Sequence, residues 1–140
     1  MADTSAGFRP RYRLSGAPFT VQDLLFSDTE TLTKGDMVNL ETGEVDLAAT
    51  NDTALLGIAL ETLSGTDSTT RIECIVDTDA VYGVYDAVAR LAGATLDIAG
   101  TTGAMTIATS SNIDVMVVAE STAAEETLVM IAHGEHAFLP

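Results

Sequence analysis

Apolar and polar residues alternate most clearly between Thr33 and Glu61, TKGDMVNLETGEVDLAATNDTALLGIALE. Lys34-Gly35-Asp36 is a turn signal, and Met37, Val38 and Leu40 open a strand. Glu41-Thr42-Gly43-Glu44 reverses the chain, with Gly43 free to adopt the positive φ of a hairpin turn. Val45 and Leu47 then alternate with Glu44 and Asp46, the period of two expected of a strand with one wet face. After a polar loop at Thr50–Thr53, the run Ala54–Leu60 is apolar on both faces. Such a strand must be covered on both sides, which places it in the middle of a barrel or sandwich.

The same pattern continues downstream. Arg71–Asp77 alternates with Ile72, Cys74 and Val76 inward, and Val81–Tyr85 forms a further strand. Asp86–Leu91 allows a helical turn. Ala94–Ile98 and Met105–Ile107 flank Gly100-Thr101-Thr102-Gly103, a hairpin signal. Asp114–Glu120 and Thr127–His133 complete the series. Upstream, Thr20–Phe26 fits a short helix or a strand equally well. Loops are expected at Ser64–Ser68 and Asp28–Thr33. The fold class is therefore all-β, a small barrel or compact sandwich of about eight or nine short strands.

Residues 1–19 break the pattern. They hold Pro10, Pro18 and two glycines with no sustained period, so they are expected to form an extended arm, within an N-terminal region of residues 1–30 ahead of a β-barrel domain at 31–140. Phe8, Arg9, Arg11, Tyr12 and Arg13 combine arginine with aromatic rings, the side chains enriched at interface hot spots, and are the candidate contacts to a partner or a neighbouring copy. The competing reading is a frayed terminus.

Charge sharpens this contrast. Against 21 acidic residues there are 6 basic ones, giving a net charge of −15. Residues 1–13 carry +2 and the remainder −17, a basic arm on an acidic body. The acidic body argues against a nucleic-acid partner. No apolar run reaches the length of a membrane span and no secretory leader is visible, so synthesis in the cytoplasm without a membrane partner is expected. Only 5% of residues are aromatic against 46% hydrophobic, so small aliphatic side chains must fill the core.

Candidate chemistry is sparse. Cys74 is the single cysteine and reads as a small buried hydrophobe rather than a nucleophile. His133-Gly134-Glu135-His136 is an incomplete metal set in what reads as a polar C-terminal tail. Asp77-Thr78-Asp79 resembles a fragment of a calcium loop, but twelve positions from Asp77 stands Val88 where an EF-hand needs glutamate. There is no GxSxG and no phosphate-binding glycine loop. The expectation is a protein that is not an enzyme and needs no metal or cofactor.

KGDMVNLETGEVDLAATNDTALLGIALE resembles the opening of the small tailed-bacteriophage head decoration, or cement, proteins, which run as GD-x-V, a short turn with Gly, Val-x-x-Ala, a polar loop, then Leu-Gly-Ile/Val-Ala. The similarity continues through Arg71–Asp77 and GATLDIAGTTGAMTI to Val115–Val118, covering residues 31–133. It implies a tulip-like β-barrel with an extended arm, a place on the capsid exterior of the virion, the major capsid protein as partner and self-association as a homotrimer. It further implies a structural function, clamping the expanded shell, without catalysis or cofactor. Two alternatives stand beside it: a head–tail or tail component of similar fold, and a small β-barrel enzyme or ligand-binding module.

Overall fold

The structure is a computed structural model and describes residues 7–26, 31–49, 54–64, 70–109 and 113–138. The expected loops at 50–53 and 65–68, residues 28–30 of the lead into the hairpin, and the first six residues of the expected arm lie outside the described residues. Thirteen strands are described: β1 (Arg9–Arg13), β2 (Val21–Leu25), β3 (Thr31–Leu32), β4 (Met37–Glu41), β5 (Glu44–Leu47), β6 (Leu55–Ile58), β7 (Leu63–Ser64), β8 (Arg71–Ile75), β9 (Ala80–Asp86), β10 (Thr95–Ala99), β11 (Thr106–Thr109), β12 (Val115–Val117) and β13 (Glu125–Ile131). The all-β expectation holds. Nine of these match strands expected from alternation; β2 settles the open reading of Thr20–Phe26 in favour of a strand, and β1, β3 and β7 are additional. β3 and β7 are two residues each, too short to show a period, and β2 pairs along its whole length with β8.

Five strands make a small ring. β5, β4 and β6 form one sheet and β2 with β8 another. An antiparallel bridge at Ala59 and Cys74 joins β6 to β8, supported by Leu60 N–H donating to Glu73 O at 2.9 Å. A parallel bridge between Phe26 and Val45 closes the circuit from β2 back to β5. Phe26, Val38, Val45, Leu56, Ile72, Cys74 and Val76 pack together in its interior. The alternate residues Met37, Leu55, Ile58 and Ile75 face outward into a second core. That core is roofed by a six-stranded sheet in the order β1-β9-β13-β12-β10-β11, which contributes Tyr82, Val84, Leu96, Ile98, Val115, Val117, Val129 and Ile131.

Two cores explain the doubly apolar strand. Leu56 and Ala59 point into the ring while Leu55 and Ile58 point at the roofing sheet, so β6 is buried on both faces. The β4–β5 hairpin turns through Thr42 and Gly43, both at positive φ, the signature of a type I′ turn. Two expectations need correction. Residues 86–91 make no helical turn: Arg90 Nε pairs with Asp86 at 2.6 Å and its backbone bridges to Ser121, which holds the segment as a loop. Residues 133–138 are not a loose polar tail, because Glu135 and Ala137 bond both sides of Leu55 at 2.7 Å and lay the segment beside β6.

Candidate interaction surface

The five residues assigned to partner contact lie in or beside β1, the end strand of the six-stranded sheet. Gly7 N–H donates to Met105 O and Phe8 N–H to Gly35 O, both at 2.8 Å, so the chain is anchored before the strand begins. Phe8 is buried in the core between ring and sheet and is not a surface anchor. β1 then runs antiparallel to β9, with an irregularity between Pro10 and Tyr12 that leaves Arg11 as the extra residue. A proline is tolerated there because an end strand need not donate on its outer side. Residues 7–26 thus share cores and sheets with the residues beyond 31: β1 pairs with β9 and β2 with β8.

Charge fixes the strand from both sides. Arg11 forks onto Glu126 of β13, its Nε donating to Oε1 at 2.7 Å. The Glu126 carboxylate crosses β9 directly above Gly83, in space that a Cβ on Gly83 would occupy. Arg13 Nε donates to Asp79 at 2.7 Å, and its Nη1 lies 3.3 Å from Asp77. Ser15 N–H donates to Asp79 at 3.1 Å and Thr20 N–H to Asp77 at 2.6 Å, tying down the loop between β1 and β2. Burial alone would raise the Asp79 carboxyl, but the hydrogen bonds from Arg13 and Ser15 outweigh it and hold it below the ordinary carboxylate range. The cation seated on Asp77-Thr78-Asp79 is therefore the guanidinium of Arg13. Tyr12 and Leu14 remain 43% and 55% exposed, the apolar part of this surface open to solvent.

The other candidate groups have structural partners. Asp36, buried behind the β3–β4 turn, accepts from Thr33 N–H at 2.9 Å, Thr102 O–H at 2.6 Å and Gly103 N–H at 2.9 Å. It clamps the loop of the β10–β11 hairpin to the ring. Asp114 accepts from Ile98 N–H at 3.0 Å. Cys74 is wholly buried inside the ring, where burial pushes its thiol up to about 12, so no thiolate forms near neutrality. His133 is exposed and His136 is buried; among the described residues no three His, Cys, Asp or Glu side chains converge as a metal would require.

One concave feature touches the basic segment. A half-open cleft of about 190 Å³ lies between the start of β1, the Lys34–Gly35 turn and the end of β6. Among the described residues, Phe8, Pro10, Ile58, Ala59 and Leu60 supply its apolar walls, and Arg9 and Lys34 are the charged residues that line it. Lys34 makes no ion pair among the described residues. Sequence reasoning found Arg9 but not Lys34, Glu126 or Asp36. The only lysine of an acidic chain was a signal, yet its neighbour Arg9 stands 25 positions earlier and only the tertiary fold joins them.

No protein-family model and no curated protein matches the chain. Among solved structures the fold is similar to the N base of head fiber gp8.5 in bacteriophage phi29, with a TM-score of 0.52 and 14% sequence identity, over 83% of this chain and 98% of that one. The likeness is one of fold.

Proposed function

We infer that the chain is a structural component of a tailed-phage virion, attached to the outside of the head, where it binds and stabilises the expanded shell. One observation carries this reading: the described fold is similar to nearly the whole of a phage head-fiber base. The residue pattern over 31–133 resembles the head decoration proteins independently of that likeness. The disposition of side chains supports a structural role, since the buried Asp36, Asp77, Asp86 and Asp114 each accept from backbone, hydroxyl or guanidinium groups and brace loops. The major capsid protein is the partner, further copies of the chain join as a homotrimer, and no cofactor is required. The exposed face of β1, with Pro10, Arg11 and Tyr12, belongs to the contact. Phe8 and Arg13 act from behind it by holding the strand in place.

A second reading has a specific observation in its favour. The neighbour is the base of a head fiber, so a chain with this fold can instead be the foot of a longer appendage. Copy number separates the two, because decoration requires a fixed fraction of the shell subunits to be occupied and a fiber base needs few sites. The direct test mixes purified protein with expanded and unexpanded cognate heads and measures bound copies and heat resistance. Saturable binding to expanded heads, with a higher temperature of DNA release, is expected. Heads of both kinds left bare would overturn the assignment.

A further inference from the structure

We propose that Met116, Met130 and His133 form a binding site for a soft monovalent metal ion, with Cu(I) as the type, on the outer side of the six-stranded sheet. Head attachment plays no part in it.

Strand register brings the two thioethers together. Met116 of β12 and Met130 of β13 stand directly opposite each other in the antiparallel pair. Their neighbours Val115, Val117, Val129 and Ile131 point into the core, so alternation turns both methionines to the outer face. Directly opposed residues have Cβ atoms about 5 Å apart, a span that two flexible thioether side chains can close onto one ion. Both are half-buried, and with Thr78, His133 and His136 they line a cavity of about 130 Å³.

His133 supplies the third donor. It stands just past β13, at a turn set by Gly134 at φ 88° and by Glu135 N–H donating to Ala132 O at 3.0 Å. Glu135 and Ala137 then bond Leu55, so the backbone of the turn is held while the His133 ring stays exposed and free to swing. His136 is a wall of the cavity and not a ligand. Its ring is buried, and its Nδ1 already accepts from Phe138 N–H at 3.0 Å, which leaves the proton on Nε2.

Donor chemistry selects the ion. Hard and borderline cations are held by sets of carboxylates, imidazoles and thiolates, and among the described residues no three His, Cys, Asp or Glu side chains gather. Two thioethers with one imidazole suit Cu(I) and serve Zn(II), Mg(II) and Ca(II) poorly. Cys74, another soft donor, is wholly buried inside the ring and takes no part. The net charge of −15 draws cations of every kind toward the chain, so it does not choose among them.

The test uses the full chain with carbon-13-labelled methionine methyls, titrated with silver nitrate in chloride-free buffer. Ag(I) shares the charge and softness of Cu(I) and needs no reductant. The Met116 and Met130 methyls should shift together and saturate at one ion, while those of Met37 and Met105 stay in place. Zinc sulfate at the same concentrations should move none of them. Met130→Leu conserves volume and keeps the core face of β13 intact, and His133→Ala lies at an exposed position. Loss of a direct ligand should weaken Ag(I) binding by at least the roughly ten-fold that loss of a supporting contact costs a metal site. No shift with Ag(I), shifts centred on Met37 or Met105, an equal response to Zn(II), or unchanged affinity in His133→Ala would each overturn the proposal.

Discussion

Single residues decide where the two cores can meet. Gly57 sits on β6 where the Ile75 carbonyl and the Tyr82 hydroxyl both crowd the place a side chain would take. A Cβ there would fall inside the Ile75 carbonyl oxygen and 2.8 Å from the Tyr82 hydroxyl, and the backbone stands at φ 153°. Both neighbours are buried, so neither can withdraw without opening a core. Gly57→Ala should lower stability by about 3 kcal/mol, read from the urea midpoint. Gly16→Ala is the control for backbone conformation alone: its φ is 79°, nothing lies within 4 Å, and the cost should be about 1 kcal/mol. Equal losses in the two variants would show that the close approach is not what requires glycine at 57. The Leu-Gly-Ile pattern that carries the family resemblance thus has a steric cause, although the sequence alone points only to a buried strand.

Elements were legible where each of their residues answers to one core or the other. Val38, Val45 and Leu56 look into the ring, Met37 and Leu55 look at the roofing sheet, and the alternation follows directly. β1 was not legible as a strand, because proline and arginine break the apolar period and its partners Asp79 and Glu126 lie far along the chain. The segment beside β6 was missed for the opposite reason: His133-Gly134-Glu135-His136 looks polar, yet His136 is buried. His136 Nδ1 accepts from Phe138 N–H at 3.0 Å, which places the ring proton on Nε2. Burial lowers the pKa of the imidazole, opposed by nearby backbone carbonyls and by Asp77, the carboxylate that faces it and is itself held by Thr20 N–H and Arg13. The unfolded chain therefore takes up this proton more readily than the folded one. The contribution of His136 is complete above the unfolded value near pH 6.5 and falls as pH drops through it toward the lower folded value. Urea midpoints of the wild type should fall between pH 7.5 and pH 5 by more than those of His136→Gln. Parallel profiles for the two proteins would show that the docked segment does not sense this proton.

At the scale of the whole molecule, the acidic surplus and the basic leading segment do not form a separate body and tether. The arginines at 11 and 13 are bound to the chain's own acids, and Arg9 and Lys34 meet at one cleft. What the sequence made visible was the all-β class and the residue pattern of head proteins; what it concealed was the joining of positions 9 and 34, which depends on the sheet lying across the ring. The attachment to a phage head is tested most directly by imaging expanded cognate heads saturated with the protein by electron cryomicroscopy. We expect added density at regular positions on the outer surface, into which the ring and the six-stranded sheet fit with β1 against the shell. Saturated heads with a bare outer surface, or density confined to the tail, would contradict it.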